Sequence, residues 1–151
     1  MADLNFKVDG NAESATRLNV MARNFNIVVD EPPALGGEDK GANPVEYLLA
    51  SYAGCINVVA HLTAKELGLQ LDGLKISVNG NLNPDKLFGV ETDDRAGFKS
   101  ITVDFEPRTT ASEAEIENWV NVVKQRCPIN DNLSNPTPIN LNVIRELELI
   151  N

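Results

Sequence analysis

The N-terminal part of the chain alternates apolar and polar residues in three short stretches. Residues 4–8, 16–22 and 25–30 each show this alternation or a high content of β-branched side chains. A period of two is typical of strands that bury one face of a sheet. Arg23 and Asn24 fall between the second and third stretches, where a tight turn is expected. The pattern therefore predicts three antiparallel strands.

A long helix is predicted after a loop rich in proline and glycine. Asn43 suits the N-cap, Pro44 suits the first helical position, and Glu46 can complete a capping box with Asn43. The apolar run that follows ends at Leu67, and Gly68 is a stop signal. The helix is expected to run from the cap to about this glycine.

The second half of the chain repeats the two kinds of pattern. Residues 71–82 and 100–105 alternate as strands, with a loop over residues 83–99 between them. A capping box begins at Ser112 and predicts a second helix that ends near Arg126. Alternation over residues 139–143 predicts a final strand. The order βββ-α-ββ-α-β predicts an α+β fold with antiparallel sheets around a long central helix.

The first helix is apolar on nearly every side. Between Val45 and Ala60 the only formal charge is that of Glu46. A helix that is apolar all round is buried all round, and three short strands can cover only part of it. We therefore expect a homodimer in which a second copy covers the remaining face. The alternative is a helix wrapped entirely by the sheets of its own chain.

Length and composition narrow the class of protein. The chain has 151 residues, of which 42% are hydrophobic and 23% charged, as expected for one globular domain spanning residues 1–151. The net charge is −9, which argues against binding to nucleic acid or to an anionic membrane surface. The N-terminus carries no secretory signal pattern, so a cytoplasmic location is expected.

Cys55 and Cys127 are the two cysteines of the chain and are 72 residues apart. Such a separation differs from the close spacing of a zinc knuckle or a CxxC site. Cys55 falls in the middle of the predicted helix, where a free cysteine is either a packing residue or a thiol activated by a cation from elsewhere in the fold. If the two thiols meet, the fold brings them together.

Cys127 directly precedes Pro128 and allows two interpretations. It could be the N-cap of a new short helix, where free N–H groups would lower the pKa of its thiol. Alternatively, it could be a helix-ending cysteine packed on the sheet. Glu46 is explained by the capping box, and His61 lies off the face of Cys55, about 240° around the helix. Five arginines are candidates to stabilise a thiolate: Arg17, Arg23, Arg95, Arg108 and Arg126.

Two motifs resemble those of the OsmC/Ohr family. Residues 34–55 read ALGGEDKGANPVEYLLASYAGC, which is similar to the central-helix motif of that family. Cys127, Pro128 and Ile129 resemble its second cysteine and the residues that follow it. Residues 95–101, RAGFKSI, are also similar to a stretch common in OsmC-like proteins. The resemblance covers nearly the whole chain.

The resemblance implies a fold and a chemistry. The family fold is an intertwined α+β homodimer whose two central helices pack together, with the sites at the dimer interface. Its activity is thiol-dependent reduction of small hydroperoxides, with a preference for organic ones. Carried over, Cys55 is the peroxidatic thiol and Cys127 the resolving thiol, which together form a disulfide that an external dithiol reduces. No metal, haem, flavin or other cofactor is implied.

The chain departs from the family pattern at the pair that activates the first thiol. Well-studied peroxidases of the family have a glutamate at the position of Val45 and an arginine on an N-terminal strand. Here the acid is Glu46, about 100° further around the helix, and Arg17 lies in the region of the arginine. The resemblance thus carries over the cysteines and leaves this pair unassigned.

Three hypotheses for function follow. The first is a cytosolic, cofactor-free dithiol peroxidase that acts on organic or general hydroperoxides. The second is a non-catalytic, redox-responsive or stress-induced dimeric binding protein, whose thiols would oxidise without turnover. The third is an inert scaffold, whose cysteines would be buried packing residues and would resist alkylation until the protein unfolds.

Overall fold

The structure is a computed structural model that describes residues 2–144. Its first part is an antiparallel sheet of three strands in the order β1-β2-β3, which we call the meander. These strands are β1 (Asp9–Ala12), β2 (Leu18–Ala22) and β3 (Phe25–Val29). Arg23 has a φ of 58° and lies in the turn between β2 and β3, as predicted.

The strand predicted over residues 4–8 is wrong. The first strand begins at Asp9 instead, and Leu4, Phe6 and Val8 are 80%, 86% and 62% exposed. Alternation can give a segment one apolar face, but a strand also needs a neighbour for its N–H and C=O groups. Within the described part of this chain, residues 4–8 have no such neighbour.

Asp30 organises the loop that follows the meander. Its side chain is 1% exposed and accepts the backbone N–H groups of Glu31, Glu38 and Lys40 at 2.9, 3.1 and 3.2 Å. Burial alone would raise the pKa of Asp30, but these backbone donors outweigh burial and lower it. A buried carboxylate thus fixes the loop that leads into the central helix.

The central helix, α1, spans Pro44–Leu67 and begins as predicted. The side chain of Asn43 accepts the N–H of Glu46, and the side chain of Glu46 accepts the N–H of Asn43, both at 2.9 Å. Gly68 ends the helix with a φ of 69°, a conformation that favours glycine. By length and composition α1 could cross a membrane, but here five of its residues, all after Cys55, are buried against the rest of the chain.

Two longer strands pack on α1. β4 (Gly73–Asn81) and β5 (Ser100–Arg108) form an antiparallel pair in which Val78 lies opposite Val103. The predicted strands over residues 71–82 and 100–105 are confirmed, although the second runs three residues further. The segment between them, 83–99, contains no helix or strand, in agreement with the expected loop.

Two helices follow β5. Helix α2 spans Glu113–Arg126 and begins with the predicted capping box at Ser112. A short helix, α3 (Pro128–Ser134), follows at once and has Cys127 as its N-cap. The strand predicted over residues 139–143 is wrong, because these residues form no strand here and their apolar side chains are 79–94% exposed.

The core lies between α1, α2 and the β4–β5 pair. Trp119 of α2 is fully buried, donates its indole N–H to the carbonyl oxygen of Ala60 at 2.9 Å, and packs edge-on against Phe105. The combination of helices and antiparallel sheets confirms the α+β class. The core contains seven residues: Ile56, Val59, Ala60, Ala64, Trp119, Val123 and Cys127.

The opposite side of α1 stays open within this chain. Val58 is 65% exposed and Leu62 is 47% exposed, although both are aliphatic and lie mid-helix. The residues of a single chain therefore bury one side of α1, whereas the sequence predicted a helix that is buried on every side.

Candidate active site

The fold brings the two cysteines together. Cys55 lies in the middle of α1, and Cys127 lies where α2 ends and α3 begins. The S–H of Cys127 donates to the sulfur of Cys55 across 3.0 Å, and both thiols are free. This separation is about 1 Å longer than a covalent S–S bond, so a small movement would join them.

The two thiols have different surroundings. Cys127 is 1% exposed, whereas Cys55 is half-buried. Cys127 is the N-cap of α3, and its sulfur accepts the N–H of Asn130 at 3.4 Å. Burial, and then the hydrogen bond to Cys55, raise the pKa of Cys127, and they outweigh the Asn130 N–H that lowers it. The two interpretations of Cys127 are each met in part, because it begins α3 but also ends α2 and is buried in the core. The lowered pKa expected of an N-cap cysteine is wrong.

Tyr52 and Asn130 border the thiol pair and had no role in the sequence-based predictions. The hydroxyl of Tyr52, one helical turn before Cys55, donates to the Oδ1 atom of Asn130 at 2.5 Å. Burial raises the pKa of Tyr52, and negative charge on Cys127 and Cys55 raises it further. The one available sequence signal was the spacing of three residues between Tyr52 and Cys55, which places both on one face of α1.

A cavity of about 500 Å³ opens beside Cys127, between β5, α2, α3 and the loop before β5. Its wall mixes apolar and polar groups in similar measure, and three basic residues, Arg95, Lys99 and Lys124, are among the polar ones. The apolar lining includes Ile56, Phe98, Ile101, Val103, Phe105, Val120, Val123 and Leu133. The cavity thus combines apolar side chains with positive charge and borders the buried Cys127, while Cys55 is not among the residues that line it.

The candidate arginines lie in separate places, and Arg95 is the one that lines this cavity. Arg23 stacks over the ring of Phe25 at 5.1 Å. Arg108 and Arg126 bind oxygen atoms elsewhere in the chain. Arg108 donates to the carbonyl of Asp72 at 2.7 Å, and Arg126 pairs with Glu66.

Arg17 and Glu46, the residues nearest to the family's acid–arginine pair in sequence, bind other partners. Arg17 pairs with Glu13 at 2.9 Å and with Glu38 at 2.8 Å. Glu46 is held by the capping box. Glu38 belongs to the loop that Asp30 organises, so the partner of Arg17 is supplied by the loop before α1.

No metal site is formed by the residues that the structure describes. His61 is exposed, and its Nδ1 lies 2.8 Å from the carbonyl oxygen of Asn57. Among residues 2–144, no three His, Cys, Asp or Glu side chains converge as ligands. The reactive groups that the fold brings together here are the two thiols, with Tyr52 and Asn130 beside them.

Comparison with known proteins places this geometry in a family. Residues 37–142 match the family described as OsmC-like protein. The chain is 26% identical over 128 residues to a protein of Mycoplasma genitalium named hydroperoxide reductase, covering 83% of this chain and 84% of that protein. A protein of Mycoplasma pneumoniae with the same name is 26% identical over 126 residues, with the same coverage of both chains.

Solved structures share the fold. An OsmC-like protein from Mycoplasma pneumoniae superposes with a TM-score of 0.76 at 24% identity, covering 88% of this chain and 89% of that one. An organic hydroperoxide resistance protein OsmC from Legionella pneumophila superposes with a TM-score of 0.64 at 19% identity, covering 88% and 91%. With the family match over residues 37–142, these comparisons show that the chain belongs to the OsmC-like protein family.

Proposed function

We propose that this protein is a thiol-dependent hydroperoxide reductase, with Cys55 as the peroxidatic thiol and Cys127 as the resolving thiol. The observation that carries the proposal is the 3.0 Å contact between the two sulfur atoms. The names of the two Mycoplasma relatives support the reaction class. Cys55 is assigned the first step because it is the more exposed thiol.

The reaction balances with the two thiols, a hydroperoxide and an external dithiol. The sulfur of Cys55 attacks the outer oxygen of the hydroperoxide and the O–O bond breaks. The leaving alkoxide takes up the thiol proton of Cys55 and departs as the alcohol, and Cys55 becomes a sulfenic acid. The sulfur of Cys127 then attacks that of Cys55, and the S–O bond breaks with release of water, which takes up the Cys127 proton. An external dithiol reduces the resulting disulfide by exchange. Electrons pass only between sulfur and oxygen atoms in these steps, so the scheme needs no metal, haem or flavin.

The hydrogen bond between the thiols supports the role of Cys127. Burial raises the pKa of Cys127, and its S–H donates to the sulfur of Cys55. A buried thiol that is held protonated against Cys55 suits the second, resolving step. The apolar side chains in the lining of the cavity beside Cys127 support organic hydroperoxides as a substrate class.

We also propose that the active form is a homodimer. Three sets of exposed apolar side chains support it: one face of α1, the N-terminal segment 4–8, and the segment 139–143. Exposed apolar area of this extent is unusual on a monomer. A second copy would cover the open face of α1. It would also offer strand edges with which residues 4–8 and 139–143 could pair.

A cytoplasmic location is part of the proposal. The catalytic cycle needs a reducing partner that keeps both thiols free between turnovers, and the cytosol maintains that condition. The net charge of −9 supports a small-molecule substrate over nucleic acid. We further propose that residues 1–151 act as one OsmC-like domain.

Turnover of cumene hydroperoxide tests the proposal. The reduced protein should consume the peroxide repeatedly with dihydrolipoate as reductant, and Cys55→Ser should abolish consumption. Cys127→Ser is the matched variant, because it keeps the first oxidation and removes disulfide formation. A wild-type rate no faster than that of free cysteine would reject the peroxidase and favour the redox-responsive or scaffold hypothesis.

A further inference from the structure

We propose that Tyr52 and Asn130 are positioning residues for the resolving step: their hydrogen bond holds Cys127 against Cys55. The inference rests on the proposed function and concerns its second half, the closure of the disulfide. It begins with the position of Tyr52, whose side chain leaves α1 one turn before Cys55 and donates to Asn130 at 2.5 Å. The bond joins the helix that carries one thiol to the helix that begins at the other.

Asn130 connects three parts of the site. Its side-chain oxygen accepts the Tyr52 hydroxyl, and its side-chain NH₂ donates to the carbonyl of Lys124 in α2 at 2.9 Å. Its backbone N–H donates to the sulfur of Cys127 at 3.4 Å. A displacement of Asn130 would therefore move the N–H group that contacts the resolving thiol.

The short helix α3 depends on such contacts. It has seven residues, none of them buried, and it begins directly at Cys127 and Pro128. A helix this short is unstable by itself, so its position is set by the surfaces it touches. Three contacts fasten its first turn to the protein: the half-buried side chain of Ile129, the Asn130–Lys124 hydrogen bond and the Tyr52–Asn130 hydrogen bond.

The Tyr52–Asn130 hydrogen bond should shorten the lifetime of the Cys55 sulfenic acid. Once Cys55 is oxidised, Cys127 must reach its sulfur before a second hydroperoxide converts the sulfenic acid into sulfinic acid, which thiols do not reduce. With α3 held in place, the attacking sulfur waits at contact distance. Without the hydrogen bond, α3 samples other positions, closure slows, and more of the protein is lost to sulfinic acid.

Tyr52→Phe tests this directly, because it keeps the ring and removes the hydroxyl. Tyr47→Phe is the matched control: Tyr47 lies on the same helix, and its hydroxyl donates to the carbonyl of Val28 at 2.8 Å, in the meander. After one equivalent of cumene hydroperoxide, stopped-flow mixing with a sulfenic-acid trap measures how long the intermediate persists. We expect it to persist about tenfold longer in Tyr52→Phe, the effect of one ordinary hydrogen bond, and to have the wild-type lifetime in Tyr47→Phe.

Asn130→Ala and the double variant distinguish positioning from general loosening. If Tyr52 and Asn130 act through one bond, the double variant should be no slower than Asn130→Ala alone. The sulfinic fraction at excess peroxide, read as a gain of two oxygens by mass spectrometry, should rise in all three. A wild-type lifetime in Tyr52→Phe, or equal slowing by Tyr47→Phe, would overturn the inference.

A peroxide-free measurement separates this inference from the peroxidase proposal. In a glutathione redox buffer, the equilibrium between the dithiol and the Cys55–Cys127 disulfide reports how well the fold holds the two sulfurs together. Tyr52→Phe should shift this equilibrium about tenfold toward the dithiol, even if the protein does not react with hydroperoxides. An unshifted equilibrium would contradict the positioning role whatever the peroxidase assay shows.

Discussion

The meander and the thiol-bearing part of the molecule differ in how they are stabilised. The hydrophobic core is built from α1, α2 and Cys127, with β4 and β5 packed against it. The strands of the meander contribute no buried residue, and β1 is exposed along its whole length. The buried residue at the end of the meander, Asp30, is polar and serves the loop that follows it.

The two regions therefore contribute differently to the candidate active site. The contact between Cys55 and Cys127 lies within the part that one chain can stabilise by itself. The open face of α1 and the meander are the parts that a second copy would cover. A single chain thus accounts for the contact between the two thiols, and the proposed dimer would complete the surroundings of the partly buried Cys55.

The largest expected effect is that of Trp119→Ala. The residue is fully buried, and its removal leaves a cavity and removes the hydrogen bond to the carbonyl oxygen of Ala60. We expect a loss of about 3–5 kcal/mol in the free energy of unfolding, measured by urea denaturation. Phe25→Ala in the meander, where the side chain is 54% exposed, should cost about 1 kcal/mol or less. Equal costs would show that the two regions are stabilised alike.

The second prediction concerns the open face of α1. Val58→Asp places a charge on a side chain that is 65% exposed in one chain and would be buried in the dimer. We expect the dimer dissociation constant to rise by about a hundredfold or more, since burying an unpaired charge is costly. Sedimentation equilibrium measures it, with Asn121→Asp on the exposed side of α2 as a charge-matched control. A wild-type protein that is monomeric at micromolar concentration would contradict the proposed dimer.

The third and smallest effect is the pH dependence of disulfide closure. Burial raises the pKa of Cys127, so at neutral pH its thiol is mostly protonated. Closure requires the thiolate, and its rate should rise by nearly tenfold per pH unit and keep rising above about pH 8.5, where an ordinary thiol begins to level off. The decay of the Cys55 sulfenic acid at a series of pH values measures it. A rate that levels off below that pH would indicate a lowered pKa for Cys127.

The sequence predicted those elements whose signals are local. The capping residues Asn43 and Glu46, and the stop at Gly68, specify α1 without reference to the rest of the chain. The strands predicted over residues 4–8 and 139–143 were wrong. An alternating pattern shows that a segment can have one apolar face, but a strand also needs a neighbouring strand for its backbone hydrogen bonds. Any neighbour for these segments would have to come from outside the described part of one chain.

The site was only partly predictable for a related reason. The Cys127-Pro128 pair allowed two interpretations, and one of them was the helix N-terminus that the structure shows, since proline at the first helical position is a local rule. The direction of the Cys127 pKa shift was missed, because burial by α1 and α2 is a tertiary effect that outweighs the local N–H donor. The bond between Tyr52 and Asn130 joins residues 78 positions apart and leaves no periodic trace in the sequence.

The most direct test of the central claim is to map the thiols after one equivalent of cumene hydroperoxide has reacted with the reduced protein. The account predicts that both free thiols disappear together and that digestion yields a peptide in which Cys55 is joined to Cys127. A product with one or two added oxygens on Cys55, and a Cys127 that can still be alkylated after unfolding, would contradict it.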